Sequence, residues 1–104
     1  MKVAFVCGPY REDEIVDVVR NIRRAELVAM HLWKKGYAVV CPHMNSALFD
    51  GLCSNEHFLA GTIEIMRRCD VVALMPNWED HEGCLDEIRE AERIGLEIIP
   101  WEDI

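Results

Sequence analysis

Short continuous apolar runs alternate along this chain with longer amphipathic segments, and that alternation limits the folds open to it more than any other feature. The first run, Val3-Ala4-Phe5-Val6-Cys7, has no polar break, as expected of a strand covered on both faces, and it stops at Gly8-Pro9. From about Glu14 to Lys35 the apolar positions Ile15, Val18, Val19, Ile22, Ala25, Leu27, Val28 and Leu32 recur at helical spacing, and Gly36 ends the run. Tyr37 to Cys41 reads as a second strand halted by Pro42. A second helix is expected from a Ser54 or Asn55 cap to about Arg68, its Arg67-Arg68 end suiting the negative helix terminus. Val71 to Met75 reads as a third strand, 84–94 as a third helix stopped by Gly95, and Leu96 to Pro100 as a fourth strand before a short acidic tail.

Strand-helix-strand in this order implies right-handed crossovers and parallel pairing. The expected architecture is a small three-layer α/β fold of the flavodoxin or Rossmann type, with a four- or five-stranded parallel sheet. A chain of 104 residues has room for one modest core, so 1–104 is read as a single domain, with no internal repeat and no linker.

Charge removes whole classes of partner. Eleven basic residues against nineteen acidic ones leave a formal net charge of −8, which opposes attraction to nucleic-acid polymers and to anionic membrane surfaces. Arg20, Arg23 and Arg24 are read as a solvated helix face. The five cysteines, Cys7, Cys41, Cys53, Cys69 and Cys84, form no CxxC pair and mostly flank apolar runs, which fits free thiols in a reducing cytoplasm. Cys41 with His43 resembles half of a metal site, but no second ligand pair follows at usual spacing, so no metal and no cofactor is expected. No segment reaches membrane-spanning length, and the first apolar run is too short for the apolar core of a signal peptide.

In a parallel sheet, the segments that follow the strands share one rim. Here they are Gly8-Pro9-Tyr10-Arg11, Pro42-His43-Met44-Asn45, and Pro76-Asn77-Trp78 leading to Gly83-Cys84-Leu85-Asp86-Glu87. The crevice they enclose is expected to hold Tyr10, Arg11, His43, Asn45, Trp78, His81 and Glu87, a set suited to a small polar ligand with an aromatic portion. Residues 43–54 form a polar loop placed to overhang it. Glu87 is expected in the first turn of the third helix, where it either stabilises the helix or is held ionised for chemistry. Tyr10 and Trp78 offer aromatic faces for a base, Trp78 also fitting the edge of a core. Arg11 beside the Gly8-Pro9-Tyr10 turn offers a hold for one phosphate, although a single glycine does not make a phosphate loop.

With those residues in order, the whole chain resembles the nucleoside 2-deoxyribosyltransferase family and its relatives that hydrolyse deoxynucleoside 5′-monophosphates, especially their short members. The resemblance lies in the Gly8-Pro9-Tyr10-Arg11 turn, in Asp70 before Val71-Val72, and in Gly83-Cys84-Leu85-Asp86-Glu87 followed by Ala91 and Gly95, with Trp78 and Pro42-His43. It implies a small-molecule nucleoside or nucleotide as partner. It also implies cleavage or transfer of the N-glycosidic bond through a glutamate nucleophile, at the position of Glu87, and a covalent glycosyl-enzyme. Gly83 would let the sugar approach the backbone.

The chain departs from the family pattern at Thr62 and at His81, each standing where better-known members carry an aspartate. Protonation of the leaving base would then fall to His81, His43, Asp80, Glu64 or Glu82. His43 equally fits a loop histidine bonded to backbone. The alternative function is a catalytically inactive nucleotide-binding module of the same fold. Met30, Trp33, Met44, Phe49 and Phe58 exceed what one core buries, which predicts a homo-oligomer, a dimer or larger.

Overall fold

The computed structural model of the chain describes residues 1–104. Its first strand, β1 (Val3–Cys7), is buried from Ala4 onward because helices cover both sides of it. Alternating side chains explain how one strand serves two layers. Ala4 and Val6 pack with Ala25, Val28, Ala29 and Leu32 of the long helix α1 (Ile15–Lys34). Phe5 and Cys7 turn the other way, towards Met66 of α3 (Asn55–Met66) and Cys84, Ile88 and Ala91 of α4 (Glu82–Ile94). Phe5 and Leu32 are fully buried, and each contributes about 1.5–3 kcal/mol by leaving water.

The remaining strands are β2 (Ala38–Val40), β3 (Val71–Leu74) and β4 (Glu97–Pro100). All pairings are parallel and the order is β2-β1-β3-β4, so the sheet has four strands. This is the flavodoxin-like arrangement expected for the sequence. The chain leaves β1 towards β2 on one side and reaches β3 on the other, so the connections diverge between β1 and β3. A crevice opens there at the carboxyl ends of the strands. Gly8 permits the close approach of its two walls, since a Cβ at that position would stand 2.5 Å from the Met75 Sδ. At the opposite end of the sheet, Asp70 Oδ2 accepts from the Val3 amide at 2.8 Å and the Asp70 amide donates to the Val3 carbonyl. The aspartate of the family-like motif therefore locks the start of β1 to β3.

Several sequence expectations shift. The buried stripe of α1 is Val18, Asn21, Ala25, Val28, Ala29 and Leu32, whereas Ile15, Val19 and Leu27 are exposed. The segment read as a loop from residue 43 begins as a short helix, α2 (Pro42–Asn45), because Pro42 fits a first helical turn while ending the strand. Helix α3 is capped by the Ser54 hydroxyl, which accepts from the His57 amide, and it stops at Met66. Arg67 and Arg68 thus lie beyond it, with Arg67 bonding Glu64 at 3.0 Å and Glu90 of α4 at 2.7 Å, tying the two helices together. The acidic tail folds as a 3-10 turn (Trp101–Asp103), held by Trp101 edge-on to His31 and by the Ile104 carbonyl near His31 Nε2. No helix is long and apolar enough to cross a membrane.

Candidate active site

The crevice between the carboxyl ends of β1 and β3 widens into a cavity of about 630 Å³, within the range that holds a small organic ligand. Glu87 lies at its base. It is the sixth residue of α4, one turn further in than the sequence pattern predicts, on the stripe with Cys84, Ile88 and Ala91 that faces the sheet. It is 8 % exposed and still lines the cavity. Burial pushes its carboxyl up to about 7, with a smaller downward pull from the Cys7 thiol and a further upward push from Asp86. The expectation that the helix end holds Glu87 ionised is therefore corrected. The macrodipole acts within the first turn, while loss of water acts on the whole group. Cys7 is in turn raised well above the usual thiol range by its hydrogen bond with Cys84, by burial and by Glu87.

Residues after β1 form the next wall. Gly8, Tyr10 and Arg11 line the cavity, whereas Pro9 is buried behind it and contributes its carbonyl. The Tyr10 hydroxyl donates to Asp50 Oδ1 at 2.9 Å and accepts from the Leu48 amide at 3.0 Å. Arg11 Nη1 donates to Asp50 Oδ2 at 3.3 Å. These bonds fasten the segment after α2 over the cavity, and Leu48 adopts a left-handed φ of 62° to meet them. Asn21 supports the turn from below, its amide donating to the Tyr10 carbonyl at 3.1 Å.

The two candidate histidines are placed differently. His43 is buried, and its Nε2 lies 3.0 Å from the Gly8 carbonyl and 3.1 Å from that of Pro9, so Nε2 carries a proton committed to backbone. Burial holds its basicity down against those two bonds. A neutral His43 thus pins α2 to the β1 turn, which fits the loop-histidine alternative better than a proton shuttle. His81 precedes α4 on the cavity rim, with Nδ1 3.0 Å from the Asn77 carbonyl and Nε2 3.1 Å from Glu12 Oε1. It bridges the turn after β3 to the turn after β1.

Other expected residues separate. Asn45 and Trp78 do not line this cavity. Asn45 ends α2 and borders a shallow apolar groove with Trp33 and Met44, because the helical turn begun by Pro42 rotates it away. Trp78 packs against the core layer under α3 and α4, its aromatic bulk being better buried than wet. Thr62 lines the cavity, with its hydroxyl donating to the Phe58 carbonyl of its own helix at 2.8 Å. Glu64 lies outside it, paired with Arg67 and Arg68. Gly83 opens on empty space, with nothing outside its own helix within 4 Å of where a Cβ would stand. No cluster of His, Cys, Asp or Glu has the geometry to hold a metal ion. Asp50 and Asn21 do not stand out in the sequence as site residues. Asn21 carries a readable signal, a polar residue at helical spacing within the stripe Val18, Ala25 and Val28.

A family model described as a domain of unknown function, DUF4406, matches residues 17–100. The chain belongs to that family. The matched span holds α2, α3 and all of α4, and it leaves β1 and the Gly8-Arg11 turn outside. No curated protein matches this DUF4406 chain in sequence. Among solved structures, a 2-deoxyribosyltransferase from the psychrotolerant bacterium Bacillus psychrosaccharolyticus is similar, with a TM-score of 0.62 at 18% identity over 92% of this chain and 69% of that one. At that identity the likeness is one of fold.

Proposed function

We propose that this protein cleaves or exchanges the N-glycosidic bond of a nucleoside at the cavity above α4, with Glu87 as nucleophile. The observation that carries the proposal is a carboxyl only 8 % exposed that nonetheless opens onto about 630 Å³ of space. A buried carboxylate without a cationic partner is unfavourable for stability, and such groups concentrate where chemistry needs them. The fold shared with a 2-deoxyribosyltransferase supports the same reading.

In this mechanism a Glu87 oxygen bonds to C1′ as the C1′–N bond breaks, and the electron pair leaves with the base. The base takes up a proton, for which we assign His81 on the rim, which gives up its contact with the surface carboxylate of Glu12 to do so, whereas buried His43 is held between two backbone carbonyls. Water or a second base then attacks C1′ and restores the carboxylate. Open space at Gly83 lets the sugar lie against the start of α4. Only ionised Glu87 attacks, so the rate rises with pH through about 7 before any loss of the acid.

The five free thiols suit a reducing compartment. Exposed Leu27, Met30, Trp33 and Met44 suit pairing with a second copy, which sedimentation would report as a species heavier than 12.0 kDa. Incubation with a panel of deoxynucleosides, with and without acceptor bases, tests the activity. Released or exchanged base that disappears in Glu87→Gln supports it. A panel that leaves the wild type silent but raises its melting temperature instead favours a binding module without turnover.

A further inference from the structure

The walls of the Glu87 cavity are unusually one-signed. Asp50, Glu56, Asp80, Glu82, Asp86 and Glu87 all line it, against a single guanidinium, Arg11. That guanidinium is not free, because Arg11 Nη1 bonds Asp50 Oδ2 and the other oxygen of Asp50 receives the Tyr10 hydroxyl. Arg11 also sits 6.0 Å from the Tyr10 ring centroid, so the ring and the carboxylate together fix its direction. Asp50 therefore occupies the one group that a phosphate would seek.

We infer that Asp50 is a specificity-determining residue that bars phosphorylated ligands from this cavity and restricts it to neutral or cationic ones. The inference rests on the proposed function for the identity of the ligand, choosing the nucleoside over its 5′-monophosphate. A phosphate dianion entering the cavity meets carboxylates within a Debye length on several sides. Its one guanidinium is already paired with Asp50. A neutral sugar hydroxyl at the same place suffers no repulsion and finds acceptors in plenty.

Inorganic phosphate tests the charge selection without asking for a base or a sugar, so its result stands whether or not any nucleoside binds. In amide chemical-shift titrations, wild-type Tyr10, Arg11 and Gly83 should stay unmoved by millimolar phosphate. Asp50→Asn keeps an acceptor for the Tyr10 hydroxyl but releases Arg11, and it should gain phosphate affinity roughly tenfold or more. Adding Arg11→Ala to Asp50→Asn should erase the gain. Wild-type protein that takes phosphate at these amides as readily as Asp50→Asn overturns the inference, as does a gain that survives Arg11→Ala. Should Asp50→Asn fail to fold, Asp50→Ser, which also frees Arg11, makes the same comparison and should show the same gain. A separate deoxynucleoside titration addresses the proposed reaction, and silence there removes the nucleoside while leaving the phosphate comparison intact.

Discussion

Glu87 and Glu90 stand one turn apart on α4 and have been driven in opposite directions. On the outer flank, Arg93 and Arg67 hold Glu90 down to about 2, and the Arg67 bridge fastens α4 to α3. On the inner flank no guanidinium reaches Glu87, and burial lifts it to about 7. One residue type thus ties helices together on one side of a helix and is left buried without a cationic partner on the other. The difference lies in what surrounds each carboxyl, chiefly access to water and to arginine.

Changes at the inner flank should disturb that contrast most. Glu87→Gln preserves shape and hydrogen bonding but cannot form the ester, and base release should fall by roughly a thousandfold or more while circular dichroism stays native. Activity that survives would end the nucleophile reading.

The same variant should behave differently in stability. Between about 4.5 and 7 the folded protein keeps a proton on Glu87 that the unfolded chain gives up, so this group's contribution to stability falls as pH rises through that window and is level above it. The full difference amounts to about 3 kcal/mol. Glu87→Gln should therefore be more stable than wild type near pH 8 and lose that advantage towards pH 4.5, as denaturation at both pH values would show. Glu90 has the opposite sign, contributing stability above the ordinary carboxylate range that disappears as pH falls through about 2.

A smaller loss is expected from His43→Ala, which leaves two buried carbonyls without their donor and should destabilise by about 2 kcal/mol in urea titrations. Gly83→Ala sharpens the contrast at the helix start. Helix propensity predicts a gain of about 0.5 kcal/mol, since nothing in the protein obstructs the new methyl, whereas a sugar lying there predicts a raised KM. The mildest outcome should come from Glu90→Gln, with turnover unchanged and a melting temperature lowered only slightly.

The layers were legible in the sequence because their signals are local. Each of the four prolines closes or follows a strand, and the unbroken apolar run of β1 announced burial on both faces. Which residues meet above the sheet was less legible. The one-turn rotation begun by Pro42 sends His43 inward and Asn45 outward, a distinction that composition does not carry. Glu87 was recognisable, yet its electrostatic state was not, because its burial arises from packing α4 on the sheet, and Cys7, which bonds it, lies in β1 at the other end of the chain. The Asp50 latch was hidden for the same reason, being a contact across about forty residues of chain between Tyr10 and a polar segment.

With β1 and β3 in the middle of the sheet, Tyr10, Arg11, His81 and Glu87 follow the two innermost strands, the wall with His43, Asp50 and Thr62 follows the border strand β2, and the other border, β4, contributes nothing to the cavity. A longer protein built on this plan can add strands or whole subdomains beyond β4 without moving a wall of the cavity. The plan thus separates growth from chemistry, leaving room at the margins for evolutionary elaboration.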